Sequence, residues 1–254
     1  MKILALDSSG LVASAAVLQD DILVGEYTVN YKKTHSQTLL PMLDELKKIT
    51  QLNLEEIDAI AVAAGPGSFT GLRIGCATAK GLGLALGKPL VAVPTLEGLA
   101  YNLWGTDRLI CPMMDARRNQ VYTGIYEFVR TQSPAGELQL QTLIPQCAAD
   151  VREIVARVNE LGKRAGKGAD REVIFLGDGV PVYENIIKEE IQIPCFFAPG
   201  HLNRQRAGSI AALGGIYYKK GKIQTAAEHR PDYLRSSQAE RERLQREAGG
   251  KADA

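Results

Sequence analysis

Apolar residues fall along this chain in two rhythms, short runs suited to strands and i, i+3, i+4 stripes suited to helices. Residues 2–8 (KILALDS) read as a short buried strand ending on an acid, Asp7, and a small polar residue. Residues 11–18 and 21–29 are two further strands, and Asp20-Asp21 between them suits a tight hairpin turn, because short acidic side chains bond locally to the backbone. Strand, turn, strand, turn, strand makes an antiparallel meander. In residues 34–50, Leu39, Leu40, Leu43, Leu46 and Ile49 recur at helical spacing, while Pro41, which has no N–H, predicts a kink or a later helix start. A fourth strand over 58–64 runs into a glycine loop and a helix. A fifth strand over 89–93 precedes a helix over 95–103 capped by Thr95.

Near Asp107 the grammar restarts. An apolar strand over 108–114 ends at Asp115, and strands over 121–129 and 138–144 follow. The polar loop 131–136 reads as exposed, 148–161 as a helix and 162–170 as a basic glycine loop. A strand over 172–176 ends at Gly177-Asp178-Gly179, with a helix over 182–190, a strand over 194–197 and a helix over 203–218 beyond. No residue-by-residue repeat accompanies this, so the duplication is one of architecture. The fold class is α/β, two lobes of duplicated mixed sheets flanked by helices. The expected division is 1–106 and 107–230, with the 203–218 helix free to pack back on the first lobe. Residues 231–235 are extended beside Pro231, and 236–254 form a charged tail.

Composition narrows the classes of function. Across 254 residues, 30 basic and 29 acidic side chains leave a net charge of +1, which gives no global attraction to nucleic acid or an acidic membrane. Cys76, Cys111, Cys147 and Cys195 are scattered without a CxxC pair, against a zinc site and against a disulfide framework. No run of about 18 apolar residues occurs, and the first apolar run breaks at Asp7. A cytoplasmic protein without membrane contact is expected.

Residues 65–87, GPGSFTGLRIGCATAKGLGLALG, need the most explaining. Ser68 or Thr70 can cap the helix they open. Gly71, Gly75, Ala79, Gly83 and Gly87 recur every four residues and line one side of it with almost nothing; Ala77, Gly81 and Ala85 line another, and Ile74, Leu82 and Leu86 a third. An interior glycine costs about 1 kcal/mol against alanine, so close backbone packing must compensate. Two packings meet that need: the chain's own sheet, or a helix of another subunit.

Three glycine-bounded turns, Asp7-Ser8-Ser9-Gly10, Gly65-Pro66-Gly67-Ser68 and Gly177-Asp178-Gly179, are candidates to offer backbone N–H groups to an anion between the lobes. The glycine loop has no Gly-Lys-Ser/Thr ending, so a lysine to grip terminal phosphates is missing. His35 stands near a helix start, where a second histidine one turn on would complete half a metal site, but that position is Leu39. His201 and His229 stand alone, and all three histidines are expected to be solvated or capping. Ser68 lacks the GxSxG elbow, and Cys76 and Cys111 sit in apolar company. Arg117-Arg118-Asn119-Gln120, and Lys163, Arg164 and Lys167, are basic loops able to hold phosphates but without interleaved aromatics. A competing reading, an ATP-dependent small-molecule phosphotransferase, would need Asp7 or Asp115 as an acid facing the cleft.

Five stretches together, Asp7-Ser8-Ser9, His35-Ser36-Gln37, residues 64–73 (AGPGSFTGLR), Asp115-Ala116-Arg117-Arg118 and residues 231–235 (PDYLR), resemble the TsaB (YeaZ) family, over nearly the whole chain to about Arg235. The resemblance implies the two-lobed actin-like, Hsp70-like, sugar-kinase-like (ASKHA) fold and a role in making threonylcarbamoyladenosine in tRNA. In that system TsaD proteins transfer the threonylcarbamoyl group and TsaE is an ATPase partner. TsaD-type relatives bind metal through two histidines four apart, whereas here His35 is followed by Leu39. The resemblance therefore implies a non-catalytic subunit with no catalytic residue, metal or cofactor of its own. It would pair with TsaD and TsaE, form a homodimer when alone, and meet tRNA only indirectly. Gly71, Arg73, Gly75, Ala79, Gly83 and His35 are the expected partner surface. Asp7, Ser8, Gly65, Gly67, Gly177 and Gly179 are the outline of a vestigial nucleotide pocket.

Overall fold

The computed structural model describes residues 1–31, 34–132, 136–163 and 171–235. The basic loop expected over 162–170, with Arg164 and Lys167, the tip of the 131–136 loop and the tail 236–254 lie wholly or mostly outside the described residues.

Strands β1 (Lys2–Asp7), β2 (Ala13–Gln19) and β3 (Ile22–Val29) form the expected meander. Asp20 and Asp21, both at positive φ, make its hairpin turn. Helix α1 (His35–Thr50) continues through Pro41, which lies on its exposed outer side. Strand β4 (Ala59–Gly65), helix α2 (Phe69–Leu86), strand β5 (Leu90–Pro94) and helix α3 (Thr95–Tyr101) complete the first half. Thr95 does not cap α3: its hydroxyl accepts the Gly65 N–H at 3.1 Å instead. The first sheet has the order β3-β2-β1-β4-β5, with β1 antiparallel to β2 and parallel to β4.

The second half repeats this topology. Strands β6 (Leu109–Asp115), β7 (Gln120–Arg130), β8 (Leu138–Asp150), β9 (Val173–Leu176) and β10 (Cys195–Phe197) form a sheet of order β10-β9-β6-β7-β8. Again the first strand of the set is antiparallel to the second and parallel to the fourth. Helices α4 (Val151–Lys163), α5 (Val180–Glu190) and α6 (Ala207–Lys219) accompany it. The sequence reading ended the third strand at Ile144 and began its helix at Ala148; β8 in fact continues to Asp150. The register shift near Thr123 and Ile125 passes over Pro145 and Gln146, which had masked the strand pattern, and Asp150 then accepts the Arg152 N–H at 2.8 Å as the helix cap.

The two lobes exchange helices. Ala207, Ile210, Ala211 and Leu213 of α6 pack on Ile3, Ala5 and Ala61 of the first sheet, whereas Leu96, Leu99 and Ala100 of α3 pack with Ile110, Met114 and Tyr126 of the second. The first lobe also caps α6: Ser14 Oγ accepts the Ala207 N–H and Glu26 the Gly208 N–H, both at 2.9 Å, and Glu26 pairs with Arg206. Helices α1 and α2 cover the opposite face of the first sheet through Leu39, Leu43, Leu46 and Ala79. Among the described residues no helix is long and apolar enough to cross a membrane.

Candidate functional site

The lobes face one another across a cleft of about 790 Å³. Ser9, Gly10, Gly67, Ser68 and His35 form its first-lobe wall, and Asp115, Arg117 and Asp178 its second. Of the six residues expected to outline a nucleotide pocket, Gly67 lines this cleft, while Asp7, Ser8, Gly65, Gly177 and Gly179 lie behind its surface.

Several of the backbone donors expected to greet an anion are bonded within the protein. Ser9 N donates to Asp7 Oδ1 (2.9 Å), Gly65 N to Thr95 Oγ1 (3.1 Å) and Ser68 N to the Ser9 carbonyl (2.7 Å). Gly71 N donates to Ser68 Oγ (3.3 Å), the cap of α2. Across the cleft, Gly177 N donates to the Asn203 carbonyl (3.1 Å) and Gly179 N to that of Met113 (3.0 Å). A phosphate reaching for any of these donors would have to break such a bond to gain its own.

Asp7 is buried and also accepts the Ser9 hydroxyl at 2.6 Å; burial pushes its carboxyl up to about 6, with the Ser9 bonds and the His35 charge opposing that rise. Asp115 does face the cleft. Its Oδ1 accepts the Tyr183 hydroxyl (2.9 Å) and the Arg117 N–H (2.8 Å), bracing a hairpin in which Arg117, Arg118 and Asn119 all have left-handed φ of 63°, 57° and 57°. Asp178 accepts the Asp115 N–H at 3.3 Å, and burial holds its carboxyl above the usual carboxylate range.

His35 Nε2 donates to the Gly10 carbonyl at 2.8 Å, and Nδ1 is buried without a hydrogen-bond partner. One turn on, Leu39 is buried in the first-lobe core. Among the described residues no group of three or more His, Cys, Asp and Glu side chains could hold a metal ion. His201 is exposed. His229, expected to be solvated or capping, is buried, its Nδ1 donating to Gln224 Oε1 at 3.0 Å.

The glycine stripe of α2 requires a correction. A Cβ on Gly71 would lie 2.0 Å from the Ser8 carbonyl oxygen, and one on Gly75 2.6 Å from Ser8 Oγ. Gly83 meets Leu90 and Ala226, and Ala79 is fully buried. The face of Gly71, Gly75, Ala79 and Gly83, expected to receive a partner helix, is therefore filled by the chain's own first lobe. What α2 leaves outside is the other small-residue side, Ala77, Gly81 and Ala85, together with Leu84 at 69% exposure. On α1, Leu40 and Ile49 are exposed, on opposite sides of the helix. Arg73 is exposed, its guanidinium 4.0 Å from the centre of the Phe69 ring and its Nε donating to the Tyr233 hydroxyl at 3.4 Å.

Sequence reasoning missed the placement of residues 231–235, which it gave only as extended. They cross the edge of the cleft, where Phe69 and Tyr233 stack at 4.6 Å. The signal was the PDYLR stretch itself, which has no apolar periodicity to say what it packs on.

Comparison with known proteins places these features. A family model described as TsaD, tRNA N6-adenosine threonylcarbamoyltransferase, matches residues 23–243. The chain is 34% identical to a Bacillus subtilis protein and 35% identical to an Escherichia coli protein, each named tRNA threonylcarbamoyladenosine biosynthesis protein TsaB. Both alignments cover 94% of this chain and 96% of the relative. A solved structure of YeaZ from Pseudomonas aeruginosa superimposes with a TM-score of 0.70 at 27% identity, covering 92% of this chain and 99% of that one.

Proposed function

Because this chain belongs to the TsaB (YeaZ) family, with the two-lobed actin-like, Hsp70-like, sugar-kinase-like fold, we propose that it is a non-catalytic subunit in the synthesis of threonylcarbamoyladenosine on tRNA. The general role, tRNA threonylcarbamoyladenosine biosynthesis, follows from membership. The finer reading is that the protein scaffolds and activates a TsaD transferase together with a TsaE ATPase in the cytoplasm, and that tRNA is reached through the complex.

The observation that carries the non-catalytic reading is a cleft whose turns bond largely to their own protein. The N–H groups of Ser9, Gly65, Ser68, Gly177 and Gly179 are paired within the protein, and the first-lobe acid Asp7 is buried and bonded to Ser9. His35 holds the Gly10 carbonyl, and the position one turn on is a core leucine. In this account the cleft is a vestige of a nucleotide site and the protein works through its surface.

That surface is the outer side of α1 and α2. Exposed Leu40 and Leu84 supply apolar anchors, and Ala77, Gly81 and Ala85 leave room for a helix to approach closely. A related subunit bearing the same pair of helices fits it, and the same surface serves a homodimer when the protein is alone. Size-exclusion chromatography of this protein mixed with a TsaD protein tests the reading: co-elution is expected, and separate elution with and without nucleotide overturns it.

A further inference from the structure

We propose that residues 231–235 are an inter-lobe latch that sets the width of the cleft, doing from within the chain what a bridging ligand does in proteins whose lobes close around one. The argument is independent of the partner reading.

After α6 the chain returns along the first lobe. Gln224 and Leu90 exchange backbone hydrogen bonds at 2.8 and 2.9 Å, and Lys80 Nζ then holds the carbonyls of Ala227 (3.4 Å) and His229 (3.1 Å), with His229 buried beneath. From there the strap is fastened to both lobes within five residues. On the first lobe, Asp232 N donates to the Ala64 carbonyl at 2.6 Å. The end of β4 is shaped to admit it: Gly65 has φ +124°, and a Cβ there would stand 2.2 Å from the Asp232 carbonyl oxygen. Tyr233 then stacks on Phe69 and accepts from Arg73.

On the second lobe, Asp232 Oδ2 accepts Gln146 Nε2 from β8 at 3.0 Å, and Arg235 donates to the Ala116 carbonyl at 3.1 Å in the β6–β7 hairpin. Asp232 thus bonds one lobe with its backbone and the other with its side chain. Phe69 and Ala116, gripped at the two ends, both line the cleft, so the length of the strap fixes the distance between its walls. Lobes of a cleft protein ordinarily swing about a hinge until a ligand joins them. Here the turn donors at Ser9, Gly65, Ser68, Gly177 and Gly179 are already paired, and the strap supplies the join.

The test is hydrogen exchange on the full-length protein carrying Gln146→Ala and Arg235→Ala, which cut the second-lobe end and leave the first-lobe contacts in place. A latch predicts that amides in 64–70 and in 115–120, on both walls, exchange about tenfold faster while β1, β4, β6 and β9 keep their protection. Tyr233→Ala, which removes the Phe69 stack and the Arg73 bond from the first-lobe end, gives the same pattern. A change confined to residues 231–235, no change, or a uniform rise in every segment overturns the proposal.

Discussion

Ser8 is locked to Gly71: its hydroxyl donates to the Gly71 carbonyl at 2.9 Å, and its own carbonyl oxygen lies 2.0 Å from where a Gly71 Cβ would stand. The turn after β1 and the first turn of α2 are in backbone contact, and only glycine leaves room for it. The cost of glycine in a helix is met here inside one subunit.

Gly71→Ala and Gly81→Ala separate the two glycine faces of α2. The first drives a methyl into the Ser8 carbonyl and is expected to destabilise the fold by about 3 kcal/mol. The second adds a methyl with nothing within 4 Å and is expected to stabilise by about 0.5–1 kcal/mol. Urea unfolding midpoints of the two variants check both signs.

Asp7 gives a pH dependence with a definite direction. Its proton leaves near 3.8 in the unfolded chain and near 6 in the folded protein. The stabilisation from the protonated form is therefore complete below about pH 3.8, falls as pH rises, and is lost above about 6, a span of about 3 kcal/mol. Asp7→Asn keeps an oxygen to accept from Ser9 and removes the titration. The variant should gain about 3 kcal/mol on the wild type between pH 4 and 7 in denaturant unfolding, and a constant difference across that range would contradict the assignment.

Leu84 and Leu40 test the docking surface without touching the core. Both are more than half exposed, so Leu84→Glu and Leu40→Glu should leave the unfolding free energy within about 0.5 kcal/mol of wild type. Association with a TsaD protein, measured by calorimetry, should weaken about tenfold or more.

Much of the fold was legible because each half writes the same pattern: an apolar strand closing on Asp7 or Asp115, a meander, then helices with apolar stripes. The glycine stripe also announced a close approach, but small residues say only that something comes near, and the thing that came was Ser8 of the same lobe. The last six residues of β8 were hidden by Pro145-Gln146, whose irregularity the strand absorbs in a register shift. The packing of α3 on the second lobe, the burial of His229 and the strap at Asp232 are long-range pairings, which local periodicity does not encode, whereas the return of α6 to the first lobe was among the packings the sequence allowed. Gly177 and Gly179 were rightly seen as a turn; that their N–H groups go to Asn203 and Met113 depends on segments distant in sequence.

The central claim is that this protein contributes to threonylcarbamoyladenosine synthesis through a partner and not through chemistry in its own cleft. The direct measurement is formation of the modified nucleoside on tRNA by reconstituted TsaD and TsaE proteins supplied with ATP and the threonylcarbamoyl adenylate that donates the group, with wild-type protein, with Asp115→Asn, and with this protein in the absence of TsaD. The account predicts product with wild type and with Asp115→Asn at equal rates, and none without TsaD. Product formed without TsaD, or its loss on changing Asp115 in a variant that still binds TsaD, would contradict it.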